Sequence, residues 1–138
     1  MYDIKQVQGE YKTKLISAEF AASLVKSNYR LHFGVGTGTS VYMDRALGER
    51  LKNDTLLRGV EIQTEVAVRN DYMQTFKAKQ PVERVRFYSF HFTGMDRRMS
   101  ESGNTWYVPI MFNEEPLYWS LEGNQFDICC IQVAPMDK

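Results

Sequence analysis

The chain has 138 residues, with 17 Lys+Arg balanced by 17 Asp+Glu, and 43% of it is hydrophobic. That is enough apolar material for one packed domain, and it excludes a disordered segment. Zero net charge, with Arg97-Arg98 as the densest basic cluster, excludes a non-specific nucleic-acid or anionic-membrane binder, and no apolar run approaches the ~18 residues of a membrane span.

Residues 5–14 are mixed polar and read as an irregular lead-in. Ser17 then has the chemistry of an N-cap, with Phe20, Ala21, Leu24 and Val25 as a helical stripe that Ser27-Asn28 ends. Leu31-His32-Phe33 begins a strand that runs into Gly34-Val35-Gly36-Thr37-Gly38-Thr39-Ser40. A second helix follows, with Met43, Ala46, Leu47 and Leu51 on one face and Asn53-Asp54 at its close. Gly48 inside it costs stability but permits close approach to a neighbour.

Val60, Ile62, Thr64, Val66 and Val68 alternate with Glu61, Gln63 and Glu65, which predicts a strand with one wet face or an edge position. Asn70 to Gln80 reads as a short helix stopped by Pro81. Val85 to Phe92 is an aromatic-rich strand running into Thr93-Gly94. The stretch Trp106 to Phe112 is strand-like, but Pro109 demotes it towards an edge, a bulge or a strand end.

Asn113-Glu114-Glu115-Pro116 opens a helix, with Asn as cap and two acids serving the dipole, and Gly123-Asn124 closes it. Ile128 to Val133 is nearly continuous apolar, as in a strand buried on both faces. The whole pattern predicts an α/β domain: a largely parallel sheet with helices packed on it. The chain stops just after that last strand, where α/β proteins place function, so the expectation is a domain cut short after a core strand.

The glycine loop between strand and helix is the first candidate site. Gly36 and Gly38 let the backbone approach a ligand, the helix start offers unpaired N–H groups, and Thr37, Thr39 and Ser40 add hydroxyls. A carboxylate, thioester oxygen or phosphate suits such a place. The G-x-G-x-G spacing is neither a dinucleotide fingerprint nor a P-loop, and a tight turn touching no ligand fits it equally. His91, near the end of its strand and on the face of Ser89, is the second candidate: a hydrogen-bond donor or acid/base, or a core histidine satisfied by backbone. His32 reads as structural.

Metal chemistry finds no support in the spacing, because two histidines and the adjacent Cys129-Cys130 pair do not give zinc ligands. Those cysteines read as free buried thiols, which fit a reducing cytosol. The N-terminus lacks the apolar region of a signal peptide, so a cytoplasmic location is expected. There is no G-x-S-x-G elbow, and the aromatics read as core.

The runs His91-Phe92-Thr93-Gly94-Met95-Asp96-Arg97-Arg98, Tyr107-Val108-Pro109-Ile110 and Ile131-Gln132-Val133-Ala134-Pro135-Met136-Asp137 closely resemble the N-terminal part of the butyryl-CoA:acetate and 4-hydroxybutyrate CoA-transferases, of the acetyl-CoA hydrolase/transferase family. Tyr11 to Glu19 is similar to that family's start, so the resemblance spans essentially the whole chain. It implies a CoA-transferase (NagB/RpiA-like) fold, with residues 1–138 as an incomplete N-terminal domain whose C-terminal catalytic half lies elsewhere. It also implies ping-pong exchange of CoA between an acyl-CoA and a small carboxylate such as acetate. The exchange passes through a glutamyl-CoA thioester, whose glutamate matches no residue here.

No catalytic residue is therefore carried over, and the isolated fragment is expected to be inactive. Gly36, Thr37, Gly38, Thr39 and His91 are expected to line the substrate pocket. Ser40 stands where relatives usually have proline. Coenzyme A enters as part of the substrate, with no tightly bound cofactor and no metal. The expected partners are the acyl-CoA, the carboxylate, the C-terminal half and further copies of the enzyme. A free-standing acyl-CoA or carboxylate-binding module without chemistry is the alternative, and a sugar-phosphate isomerase-like domain a third, since a shared fold does not license function.

Overall fold

The computed structural model describes residues 3–66 and 73–135. Five short strands, β1 (Arg30–Val35), β2 (Val60–Glu65), β3 (Val85–Ser89), β4 (Thr105–Tyr107) and β5 (Ile128–Cys129), make one sheet in the order β4-β3-β2-β1-β5. Every neighbouring pair is parallel, as the strand–helix alternation predicts. The helices are α1 (Ile4–Lys14), α2 (Ala18–Ser23), α3 (Val41–Asn53), α4 (Gln74–Lys77), α5 (Gly94–Ser100) and α6 (Glu115–Ser120). None among the described residues is long and apolar enough to cross a membrane.

Register separates the two sheet faces by chemistry. Leu31, Ile62 and Phe87 lie side by side across β1, β2 and β3, fully buried with Phe33, Val60 and Val85. This apolar face meets Ala22 and Val25 near α2, and Met43, Leu47 and Leu51 of α3. Gly48 does what its position suggests: a Cβ there would stand 2.7 Å from the Gln74 carbonyl group at the start of α4.

The opposite face carries Arg30, His32, Glu61, Gln63, Glu65, Arg86 and Tyr88. Alternation along β2 does separate polar from apolar residues, but β2 is central, and Gln63 and Glu65 are buried rather than wet. Neighbouring strands make this possible. Arg30 and Arg86 bracket Glu61 at 2.8 and 3.2 Å, and His32 lies 3.0 Å from Glu65. Aromatic side chains around α6 cover part of the face, with Trp119 edge-on and Phe126 tilted against the His32 ring.

Several local expectations need correction. Residues 4–14 form a helix, not an irregular lead-in; Asp3 caps it by accepting from Lys5 N–H, and none of its residues is buried. The signal was present in Ile4, Val7 and Tyr11 at helical spacing. Ser17 caps α2 as expected, through Phe20 N–H, yet Phe20 and Leu24 are exposed while Ala22 and Val25 face the core.

Asn113 does not cap α6; Glu114 holds that position without a side-chain bond to the helix. The final strand is only two residues long, on the sheet edge, with Ile131 and Val133 exposed. Its apolar run therefore does not mark a strand buried on both faces. β4 forms the other edge, consistent with Pro109 just beyond it. Val68, Asn70 and the end of the Q-V-A-P-M-D run lie outside the described residues.

Candidate functional site

All five strands run the same way, so their carboxyl ends share one rim. The chain proceeds from β1 outward to β4, then returns to place β5 on β1's other side. Such a reversal leaves a crevice beyond the carboxyl ends of the two strands, where open α/β sheets bind ligands. The glycine turn occupies that place.

Gly34 (φ +77°) and Gly36 (φ +52°) use left-handed backbone that other residues adopt at a cost. The turn Gly36–Gly38 folds back on itself, with Thr39 N–H and the Thr39 hydroxyl both donating to the Gly36 carbonyl. The segment after β5 pins it: Gln132 N–H donates to the Gly38 carbonyl at 2.8 Å, and Thr39 bridges Ile131. Thr39 is buried and its hydroxyl proton is engaged. Thr37 is exposed and offers its hydroxyl outward. Ser40 makes no side-chain cap on α3, so the first N–H groups of that helix keep no capping side chain.

Two strands along the same rim, a second group assembles on the polar face. Glu65 ends β2 directly beside Val35 of β1. His91 follows β3, which ends at Ser89, so strand alternation no longer fixes its side. The imidazole turns to the face of Glu65, away from the one shared with Ser89 that alternation predicts. Glu115, in the first turn of α6, completes the group: one ligand-type atom of each residue lies within 4.8 Å of the other two.

Glu115 is 3% exposed and Glu65 1%. Glu115 does stand in the first turn of α6, as the sequence reading has it, but it is buried and turned inward to Glu65 and His91. His32 is structural, as expected. Its Nδ1 accepts from Gly34 N–H at 3.3 Å, which leaves Nε2–H to donate to Glu65 Oε1 at 3.0 Å. One histidine thereby links the glycine turn to the buried carboxylate.

Burial raises the Glu115 pKa above its ordinary value of 4.5, and the nearby Glu65 charge raises it further. Folding therefore favours the protonated form. Linkage then has stability fully present below about pH 4.5 and declining as pH rises through the folded value, because the native state holds more protons there than the unfolded chain. Asp44, also raised by burial, acts in the same direction. Urea midpoints for Glu115→Gln should accordingly fall less between about pH 5 and about pH 8 than those of the parent chain. An unchanged slope would place the Glu115 charge in water.

Other features do not converge in this way. A cleft of about 520 Å³ lined by Phe76, Lys79, Pro81 and Asn104 lies at the amino ends of β3 and β4, away from the rim. Cys129 is exposed rather than buried, and Cys130 is half-buried with its thiol pushed up to about 11, chiefly by burial. Both are free thiols, and at that value Cys130 is a poor nucleophile near neutrality.

Comparison with known proteins shows the family of the chain. A family model described as acetyl-CoA hydrolase/transferase N-terminal domain matches residues 1–138. The chain is 30% identical over 129 residues to the butyryl-CoA:acetate CoA-transferase of Anaerostipes caccae, covering 94% of this chain. It is 31% identical over 130 residues to the 4-hydroxybutyrate coenzyme A transferase of Clostridium kluyveri, covering 93%. The chain spans 28% of the length of these relatives. In fold it is similar to RipA from Yersinia pestis, with a TM-score of 0.76 at 22% identity over 95% of this chain and 31% of RipA.

Proposed function

This chain belongs to the acetyl-CoA hydrolase/transferase family, as its N-terminal domain, and from that membership we propose that it builds one wall of the pocket in which CoA passes between an acyl-CoA and a small carboxylate. The acyl group is of the butyryl or 4-hydroxybutyryl type, and the carboxylate is acetate or similar. The observation that carries the reading is the glycine turn at the reversal between β1 and β5, where backbone N–H groups at the start of α3 can receive a carboxylate or thioester oxygen.

In this reading a glutamate from the remainder of the enzyme attacks the thioester carbonyl and expels CoA as thiolate, leaving a mixed anhydride. The thiolate then attacks the glutamyl carbonyl and releases the first acid, giving a glutamyl-CoA thioester. The acceptor carboxylate attacks that thioester and expels the thiolate, which takes the new acyl group and frees the glutamate. No proton or redox partner is needed. The residues of this chain bind and orient: Gly36, Thr37, Gly38 and Thr39 shape the turn around the carboxylate, and His91 supports it from across β2. The enzyme is read as cytoplasmic and oligomeric, with the exposed apolar residues near the β5 rim facing its other half.

In the longer enzyme, His91→Ala should raise KM for the carboxylate about tenfold, the loss expected for one hydrogen bond to a charged group, with a smaller change in kcat. Unchanged kcat and KM would leave His91 a structural role only. Borohydride treatment after incubation with acyl-CoA should yield a reduced glutamate outside residues 1–138 by mass spectrometry; no adduct would contradict the thioester route.

A further inference from the structure

Two buried carboxylates side by side cannot both keep their charge without a compensating cation or proton. Among the described residues, no lysine or arginine forms an ion pair with Glu65 or Glu115; the salt-bridge partner of Glu65 is His32. Yet Glu65 Oε2, His91 Nδ1 and Glu115 Oε1 are all buried without a hydrogen-bond partner, while one ligand-type atom from each residue converges within 4.8 Å. Leaving one such atom unpaired costs about 1–3 kcal/mol, and more when charged. Three together call for a common occupant.

A shared proton can join the two carboxyl groups but leaves His91 Nδ1 without a partner. A divalent ion takes all three atoms. Metal–ligand bonds of about 2.0–2.2 Å put three donor atoms about 3.4 Å apart in tetrahedral geometry, so closing the site needs the donor pairs to approach by about an ångström, within reach of side-chain rotation. The geometry points to a divalent first-row metal site formed by Glu65, His91 and Glu115. Two carboxylates and an imidazole suit ions from Mn²⁺ to Zn²⁺, and three protein ligands leave coordination positions open.

The surroundings are those of a built site. His32 Nε2–H holds the second oxygen of Glu65 at 3.0 Å, and the Trp119 and Phe126 rings hold His32, an outer layer of the kind that orients metal ligands. With Nδ1 on the metal, the imidazole Nε2–H remains for the substrate role proposed above. The site stands on this geometry alone and does not depend on the CoA-transfer reading.

The test is a Co²⁺ titration of the chelator-treated 138-residue chain, read by visible d–d absorption, with Zn²⁺ and Mn²⁺ content measured by mass spectrometry after dialysis. About one equivalent of bound ion is expected, with affinity falling as pH drops because Glu115 must lose its proton. His91→Ala and Glu115→Gln, checked for native circular dichroism, should each weaken binding at least tenfold. The double variant Cys129→Ser/Cys130→Ser and the neighbouring Glu114→Gln should bind as the parent does.

Absence of a stoichiometric ion would overturn the site in favour of a proton shared by the two glutamates. So would binding that survives in His91→Ala or is lost with the cysteines. Any of these results leaves the transferase reading untouched, since that is judged by acyl exchange.

Discussion

Asp44→Ala is expected to lower unfolding stability by about 3 kcal/mol, measured by urea denaturation near neutral pH. Asp44 lies on α3, fully buried, and its carboxylate accepts three bonds from the next crossover: Gln74 N–H at 2.5 Å, Thr75 N–H at 3.1 Å and the Thr75 hydroxyl at 2.6 Å. Alanine leaves those donors without an acceptor in a buried place. It does so where α4 is packed so closely that only Gly48 fits opposite Gln74. Relief of a buried charge offsets part of the loss, as the burial-raised Asp44 pKa indicates. Asp44→Asn keeps one acceptor and should cost less than half as much. Equal losses in both variants would show that charge, not acceptor count, holds α4.

Gly34→Ala is expected to cost a further ~3 kcal/mol-class loss of its own and to displace the glycine turn. Two effects add at this position. Its φ of +77° strains any residue with a Cβ, and that Cβ would stand 2.7 Å from the Gly38 carbonyl oxygen and 3.3 Å from that of Cys130. Neither backbone group can yield without moving the turn or the segment after β5. Gly36→Ala is the control: φ is also positive, but nothing lies within 4 Å, so about 1 kcal/mol is expected. In the longer enzyme, Gly34→Ala should lose transfer activity well beyond Gly36→Ala. Similar stabilities for the two variants would remove the close approach as the reason for this glycine.

The parts of the fold written locally were legible. Ser17 accepts from Phe20 N–H, Gly48 sits where a helix meets its neighbour, and the glycine-rich run makes a turn between a strand and a helix, each because a cap, a contact or a backbone angle demands that residue type. The β2 alternation was legible as alternation but not as environment. Period two tells which residues share a face, while whether that face meets water depends on what packs over it. Here Arg30 and Arg86 arrive from neighbouring strands to pair with Glu61, and His32 to pair with one oxygen of Glu65. β5 failed for the converse reason: an apolar run is buried only if something covers it.

Glu115 marks the boundary between the two kinds of information. As sequence it is an acid beside Pro116 at a helix start, and that place ordinarily faces solvent. Only the seating of α6 over the polar face turns it inward to Glu65 and His91. By itself the sequence determined the α/β alternation, the turn chemistry and the family resemblance, because these depend on spacing and residue type along the chain. The tertiary structure decided the convergence of three residues from a strand end, a loop and a helix start. A parallel sheet carries every strand's carboxyl end to one rim, whatever the distance between them in sequence.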